Sequence, residues 1–306
     1  MKDLPLVSVV MNCHNGSIYL QQSINSIYKQ TYSNWEIIFW DNASDDDSAS
    51  IAKSFDSKLK YFFSKEKTSL GEARNMAIEK ASGKYICFLD CDDLYISDKL
   101  EKQVIMMERE NFVLSYGSAL IINDRGITIR KFPSKNNSGQ IFERLLKHYE
   151  INMQSVILKR SFMKEHKLNF LTSMQYCPDY NLFMKIASQN EIGVIKDYVV
   201  KYRVLKDSLS SKTIALVGKE IRLTLDGIIQ SIPELKKKYK KGFELAYGKA
   251  NYYDCISAIY DNDYKGAQKY LKPTLLLRLE YIGLYLILFL PLPRKSILSF
   301  LNRYIA

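Results

Sequence analysis

The sequence predicts an α/β fold: a parallel sheet with helices on both faces, followed by an all-helical C-terminal region. Three observations carry this. Short β-branched runs alternate with amphipathic stretches through the first hundred residues, the rhythm of strands joined by helical crossovers. Three of those runs end abruptly in polar clusters. Beyond about Thr213 the apolar spacing turns helical throughout.

Leu6 to Met11 reads as the first strand and Asn12-Cys13-His14-Asn15-Gly16 as the turn after it. Tyr19 to Lys29 carries Leu20, Ile24, Ile27 and Tyr28 at helical spacing. Trp35 to Trp40 is a second strand, ending at Asp41-Asn42-Ala43-Ser44. Asp45 to Phe55 opens with capping residues and reads as a helix. Leu59 to Phe63 is a third strand, Gly71 to Ala81 a helix stopped by Ser82-Gly83, and Tyr85 to Leu89 a fourth strand. Leu114 to Ile122 and Ile127 to Phe132 flank the turn-like Asn123-Asp124-Arg125-Gly126 and suggest a hairpin. Ile141 to His148 reads as helix, Ser155 to Leu158 as strand, Asp179 to Ala187 as a helix behind Pro178, and Val194 to Arg203 as strand. In the C-terminal region Glu220 to Ile232, Phe243 to Asp261 and Tyr264 to Leu271 are helical. There Tyr247, Ala250, Ala258, Ala267 and Tyr270 are spaced like a hairpin resembling a single tetratricopeptide unit.

With 306 residues the chain exceeds one ordinary core. A net charge of +11 favours anionic partners, but no basic stripe interleaved with aromatics forms a nucleic-acid module, so nucleic acid is excluded. The five cysteines (Cys13, Cys87, Cys91, Cys177, Cys255) are odd in number and scattered, which predicts free thiols in a reducing compartment. The N-terminus has no basic region followed by an apolar stretch and cleavage site, so a cytoplasmic location is expected.

The run Ile86 to Leu89 stops at Asp90-Cys91-Asp92-Asp93. Carboxylates so close repel one another unless a cation sits between them. Strand alternation puts Asp90 and Asp92 on one face, suited to a hard divalent ion with oxygen ligands, Mg²⁺ or Mn²⁺. A solvated acidic turn capping the next helix reads equally well from this segment alone. In an α/β sheet ligands lie beyond the carboxyl ends of the strands, and Asn12 to Asn15, Asp41 to Ser44 and Asp90 to Asp93 all fall there, which favours a binding site.

Four linked pieces then resemble family 2 glycosyltransferases with the GT-A fold. They are Leu6-Val7-Ser8-Val9-Val10-Met11-Asn12-Cys13-His14-Asn15; Ser26 to Tyr32 with Trp35-Glu36-Ile37-Ile38; Gly71-Glu72-Ala73-Arg74-Asn75-Met76-Ala77; and Leu89-Asp90-Cys91-Asp92-Asp93. The resemblance implies a Rossmann-like GT-A catalytic domain over 1–212, with a nucleotide-binding half (1–100) and an acceptor-binding half (101–212), and a helical region over 213–306. It implies an inverting, metal-dependent transfer from a nucleotide-sugar donor to a glycan or polyprenyl-linked saccharide in surface-polysaccharide synthesis. Asn12, His14, Asn15, Asp41, Asn42, Arg74, Asp90 and Asp92 are the implied donor contacts, with His14 stacking on or hydrogen bonding to the base and Arg74 near the phosphates. Asp92 and Asp93 are the implied ligands of Mn²⁺ or Mg²⁺, and Asp179, in Cys177-Pro178-Asp179-Tyr180, the implied base. The family usually shows two acids where this chain has Asp41-Asn42, and the second accepts a hydrogen bond from uracil; a uridine nucleotide is therefore an expectation. Tyr202-Arg203 with Ser208 to Ser211 corresponds to a loop that closes over the donor.

A sugar-phosphate nucleotidyltransferase would carry a Gly-rich, basic loop after the first strand, where this chain has Asn12 to Gly16 without Lys or Arg. A non-catalytic scaffold would have lost the acidic cluster, which is intact. Leu275 to Leu292 is the most apolar stretch, broken by Arg278, Glu280 and Pro291 and followed by Arg294, Lys295 and Arg303. Its uncharged part is too short to span a bilayer comfortably, and its basic flank fits a helix lying on an anionic membrane at its inner face, or one packed on the catalytic domain.

Overall fold

The computed structural model describes residues 4–205, 214–290 and 297. Among these, one compact unit holds the residues within Met1–Phe142 and Tyr149–Lys206, and the other those within Glu143–His148 and Asp207–Ala306.

In the first unit β1 (Val7–Cys13), α1 (Ser17–Tyr28), β2 (Trp35–Asn42), α2 (Ser48–Lys53), β3 (Leu59–Ser64), α3 (Leu70–Lys80) and β4 (Tyr85–Phe88) follow one another as the alternating pattern requires. β3, β2, β1 and β4 lie side by side in that order, all parallel. Every residue of β2 is buried, as a strand covered on both faces must be. On one face Val7, Val9 and Met11 share a core with Leu20, Ile24 and Ile27 of α1. On the other, Ala73 and Ala77 are small enough to let α3 lie close on β1 and β2.

Past β4 the helix-per-strand rhythm stops and the sheet becomes mixed. The chain continues through β5 (Leu94–Tyr95), α4 (Lys99–Glu110), β6 (Leu114–Ile122), β7 (Thr128–Phe132), β8 (Ile157–Lys159), α6 (Arg160–Glu165), α7 (Pro178–Ala187) and β9 (Gly193–Arg203). β8 pairs antiparallel with β4 and β6, β9 runs parallel to β6, and β5 pairs antiparallel with β9. The expected hairpin forms: β7 pairs with β6, and Gly126 supplies the left-handed φ of 80° that its turn requires. The parallel sheet expected from the alternation in the first hundred residues forms from the first four strands, and beyond them strands without helical crossovers pair mostly antiparallel.

The second unit contains α5 (Phe142–Lys147, from Glu143 on), α8 (Ile214–Ser231), α9 (Glu234–Lys238), α10 (Lys240–Tyr260), α11 (Tyr264–Leu271), a 3₁₀ segment at Lys272–Leu277 and α12 (Leu279–Ile287). α10 and α11 form the expected hairpin. Asn262 takes φ 60° at its turn, and Asp263 caps α11 by accepting from the Gly266 N–H at 2.8 Å. Ala250, Ala258 and Ala267 are buried, whereas Tyr270 faces solvent.

Glu36, buried near the start of β2, accepts several hydrogen bonds at once. Its carboxylate accepts from Ser8 Oγ (2.6 Å), Lys60 Nζ (2.6 Å), Ser82 N (2.9 Å) and Ser82 Oγ (2.7 Å). Burial pushes its pKa up, but these bonds, led by that from Lys60, outweigh it and hold the carboxyl at about 2 against an ordinary 4.5. A carboxylate held low stabilises the fold above its unfolded pKa and loses that contribution as pH falls toward 2. The full shift corresponds to about 3 kcal/mol. Glu36→Gln is expected to lower stability at pH 7 by roughly that amount and to flatten the loss between pH 5 and 2; a urea-melt series across that range measures this.

Candidate active site

The carboxyl ends of β1, β2 and β4 lie together, and three turns meet there. Asn15 has a left-handed φ of 55°, and its N–H donates to Ser44 Oγ at 3.0 Å while its Oδ1 accepts from the Asp45 N–H at 3.0 Å. Gly16 and Ser17 open α1 without a side-chain cap of their own. Their N–H groups are taken up by Ser48 Oγ and Asp46 Oδ2, each at 3.0 Å. A Cβ on Gly16 would come within 2.9 Å of Cys91 Cβ, so only glycine lets the first turn close on the acidic segment. Cys91 Sγ in turn donates to Asn12 O at 3.1 Å. All five cysteines are free thiols.

The predicted residues divide by what their side chains are doing. His14 and Asn15 are exposed on the rim, with His14 Nδ1 3.1 Å from Asn42 O, and the buried Nδ2 of Asn12 has no hydrogen-bond partner. Asp41 differs from its expected role. It is fully buried, with Oδ1 accepting from the Ser44 N–H (2.8 Å) and Oδ2 from Tyr61 Oη (2.7 Å). Asn42 differs too: its Nδ2 donates to Thr68 O (3.0 Å) and its Oδ1 accepts from the Thr68 N–H (3.0 Å) and Oγ1 (3.1 Å). Both side chains are buried and brace the rim, and the Asn42 oxygen already accepts two hydrogen bonds.

The motif Gly71 to Asn75 places charge and backbone at once. Ser69 caps α3 by accepting from the Glu72 N–H at 3.3 Å, the Ser-x-x-Glu start of a helix. Gly71 admits Leu171 O, which would lie 2.9 Å from a Cβ there. Asn75 grips Phe170 from two sides, Nδ2 to its carbonyl at 2.8 Å and Oδ1 from its N–H at 2.9 Å. Arg74, nearly buried, lies 5.6 Å from the Phe170 ring centroid and pairs with Asp90 Oδ1 at 3.2 Å.

Asp90 is held from its other side by Gln154, which sequence reasoning missed. Gln154 Nε2 donates to Asp90 Oδ2 at 2.6 Å and its Oε1 accepts from the Asp90 N–H at 3.0 Å. Asp92 is half-buried, and burial together with the Asp90 charge raises its pKa to about 6. Asp93, the other expected cation ligand, is buried: its Oδ1 accepts from the Arg203 N–H at 2.6 Å, and its Oδ2 has no hydrogen-bond partner. Burial first, then Asp92 and Asp90, pushes its pKa well up. Asp179 opens α7 behind Pro178 at the first turn. Burial raises its pKa, while the nearby Arg74 guanidinium pulls it back and Asp90 pushes it up, so Asp179 joins the same charge cluster.

Arg203, expected in a loop that closes over the donor, is the last residue of β9. Its Nε donates to Asp92 O (2.8 Å), its Nη1 to Asn123 O (3.0 Å) and Asp124 O (2.9 Å), and its guanidinium lies 4.2 Å from the Tyr19 ring centroid. It ties the acidic segment to the β6–β7 turn. Ser208 to Ser211 lie outside the described residues.

The model of the family "Glycosyl transferase family 2" matches residues 8–167. The chain belongs to glycosyl transferase family 2. It is 34% identical over 209 residues to the Escherichia coli UDP-Glc:alpha-D-GlcNAc-diphosphoundecaprenol beta-1,3-glucosyltransferase WfgD, covering 67% of this chain and 80% of that one. To TuaG of Bacillus subtilis, whose name assigns it to teichuronic acid biosynthesis, it is 28% identical over 212 residues, 68% of this chain and 82% of that protein. Among solved structures, S. aureus TarS 1–349 in complex with UDP-GlcNAc superposes with a TM-score of 0.59 at 16% identity, covering 85% of this chain and 89% of that one. The family 2 enzyme thus has the expected GT-A fold with a helical C-terminal region.

Gln154→Glu places a second carboxylate against Asp90 and removes its donor. The variant is expected to lose about 2–4 kcal/mol at neutral pH and to regain it as pH falls below the raised carboxylate pKa values, read from thermal melts at pH 4 to 8.

Proposed function

We propose that the enzyme moves a sugar from a nucleoside-diphosphate sugar, a UDP-sugar, to a hydroxyl of a glycan or polyprenyl-linked saccharide at the inner face of the cell membrane. The observation that carries this is the convergence of Arg74, Asp90, Asp92 and Asp179 beyond the strand ends. The named activity of WfgD on a diphosphoundecaprenol acceptor and the UDP-GlcNAc bound by TarS support the same donor and acceptor classes.

A divalent cation, Mn²⁺ or Mg²⁺, fits the donor set in one way. Among the described residues no group of three or more His, Cys, Asp or Glu is arranged to hold a metal ion. Hard cations in phosphate sites take only one or two carboxylates and complete their shell with substrate oxygens and water. Asp92 meets that description: it is half-buried, and its carboxyl is pushed up by burial and by the Asp90 charge, which a cation would offset. Bound there, such an ion supplies Lewis-acid stabilisation of the departing diphosphate.

The chain's own residues do the rest. Arg74, oriented by Asp90 and Phe170, presents fixed positive charge toward the phosphates. Asp179 takes the acceptor hydroxyl's proton as the oxygen attacks the anomeric carbon, the bond to the diphosphate breaks, and the configuration inverts. A carboxylate whose pKa is raised is a stronger base than a solvated one.

Asp92→Ala is expected to abolish transfer and Mn²⁺-dependent nucleotide binding, and Mn²⁺ binding by the wild type to strengthen as pH rises through about 6, where the metal-free Asp92 ionises. Unchanged turnover in the variant would remove the metal assignment. Asp179→Asn is expected to cut turnover by roughly 10²-fold or more with donor affinity nearly intact. Nucleotide release from a panel of nucleotide sugars with Mn²⁺ measures each, and an equal loss of donor affinity would make Asp179 structural.

A further inference from the structure

The exposed side of α12 and of the end of the 3₁₀ segment before it is mostly apolar. α12 buries Tyr281, Leu284 and Leu288 in the core of the second unit, alongside Ile256, Ile259 and Leu271. An amphipathic helix would turn polar residues outward from there. This one does not: Leu276 is 97% exposed, Leu279 84%, Leu286 60%, Phe289 61% and Leu290 54%. Leu279, Ile282, Leu286 and Phe289 recur at helical spacing on the side away from the core. The one charge within α12, Glu280, is paired with Arg278 at 3.3 Å.

The surrounding charge identifies the partner. From Tyr264 to Ala306 there are seven basic residues (Lys265, Lys269, Lys272, Arg278, Arg294, Lys295, Arg303) and one acidic one, Glu280. Lys265, Lys269 and Lys272, in α11 and at the start of the 3₁₀ segment, are exposed. Asp261 and Asp263 sit at the α10–α11 turn, and Asp263 is engaged in capping α11. A second copy of this chain would meet the same excess of positive charge. A phospholipid surface rich in anionic headgroups offers both an apolar layer for the leucines and negative charge for the lysines. No described helix is long and apolar enough to cross a membrane, so the helix would lie along the surface.

We propose that α12 and the preceding 3₁₀ segment are a membrane-docking face that inserts Leu276, Leu279, Leu286 and Phe289 among anionic lipids. The inference deepens the proposed function by naming the surface that brings the enzyme to a lipid-linked acceptor, and it rests on that reading only for the acceptor.

The test is co-flotation of the full-length protein with phosphatidylcholine vesicles, with and without about one third phosphatidylglycerol. Binding is expected to the anionic vesicles and to weaken with added salt. Leu279→Glu/Leu286→Glu is expected to reduce the bound fraction by about tenfold or more, and Lys269→Glu/Lys272→Glu to weaken binding while leaving any attachment to neutral vesicles unchanged. Circular dichroism melts matching the wild type show that the variants fold, and release of nucleotide from donor in solution is expected to be unchanged in both. No flotation of the wild type, or flotation unaffected by the leucine substitutions, overturns the proposal. So does a dimer in solution that becomes a monomer in Leu279→Glu/Leu286→Glu with no lipid binding. Flotation without nucleotide release from any donor would leave the docking face standing and remove the transfer reading instead.

Discussion

Three carboxylates within four residues at the end of β4 are the constraint on which the site depends. Left to themselves, Asp90, Asp92 and Asp93 would repel one another and unravel the turn. The fold divides the problem. Asp90 is clamped between Arg74 and Gln154, Asp93 is turned inward onto the Arg203 N–H, and Asp92 is left half-exposed with its carboxyl pushed up to about 6. The Arg203 side chain bonds the carbonyl of Asp92 and not its carboxylate. The backbone is thereby fixed while the charge stays available. Asp90 and Asp92 both reach solvent, and of these two only Asp90 is paired with an arginine.

The same economy explains why α3 begins as it does. Gly71, Arg74 and Asn75 act on one neighbouring segment, Phe170 and Leu171, by close approach, ring contact and paired hydrogen bonds respectively. That segment leads into α7, which opens with Asp179. Arg74 thus contacts Asp90 directly and lies close enough to Asp179 to offset part of the burial that raises its pKa. A single helix turn couples the group proposed to face the phosphates with the group proposed to take the proton.

Much of this was legible in the sequence. β-branched runs ending in polar clusters gave the parallel half of the sheet, and the spacing of motifs gave the family. The individual roles were less legible, because a residue type at a strand end does not say whether its side chain turns outward or inward. Asp41 and Asp93 look like Asp92 in sequence, yet the first is buried against Tyr61 and Ser44 and the second is turned inward with one oxygen on the Arg203 N–H. Gln154 and Arg203 lie 64 and 111 residues from the aspartates they hold. No local pattern marks such partners. The exposed face of α12 was hidden for a related reason: an apolar run shows that a helix wants burial, not which side of it stays uncovered.

The departure at Asn42 has a physical explanation of its own. Thr68 presents its carbonyl to position 42 as well as its N–H and hydroxyl. A carboxylate can accept from the last two but has no donor for the first, so it would face a carbonyl oxygen across the same gap. An amide satisfies all three contacts. Asparagine here therefore straps the segment before α3 to the end of β2, and the acceptor oxygen the family resemblance implied for a base is spent on that strap. What remains open at this rim is His14, exposed and anchored 3.1 Å from the Asn42 carbonyl, together with the exposed Asn15.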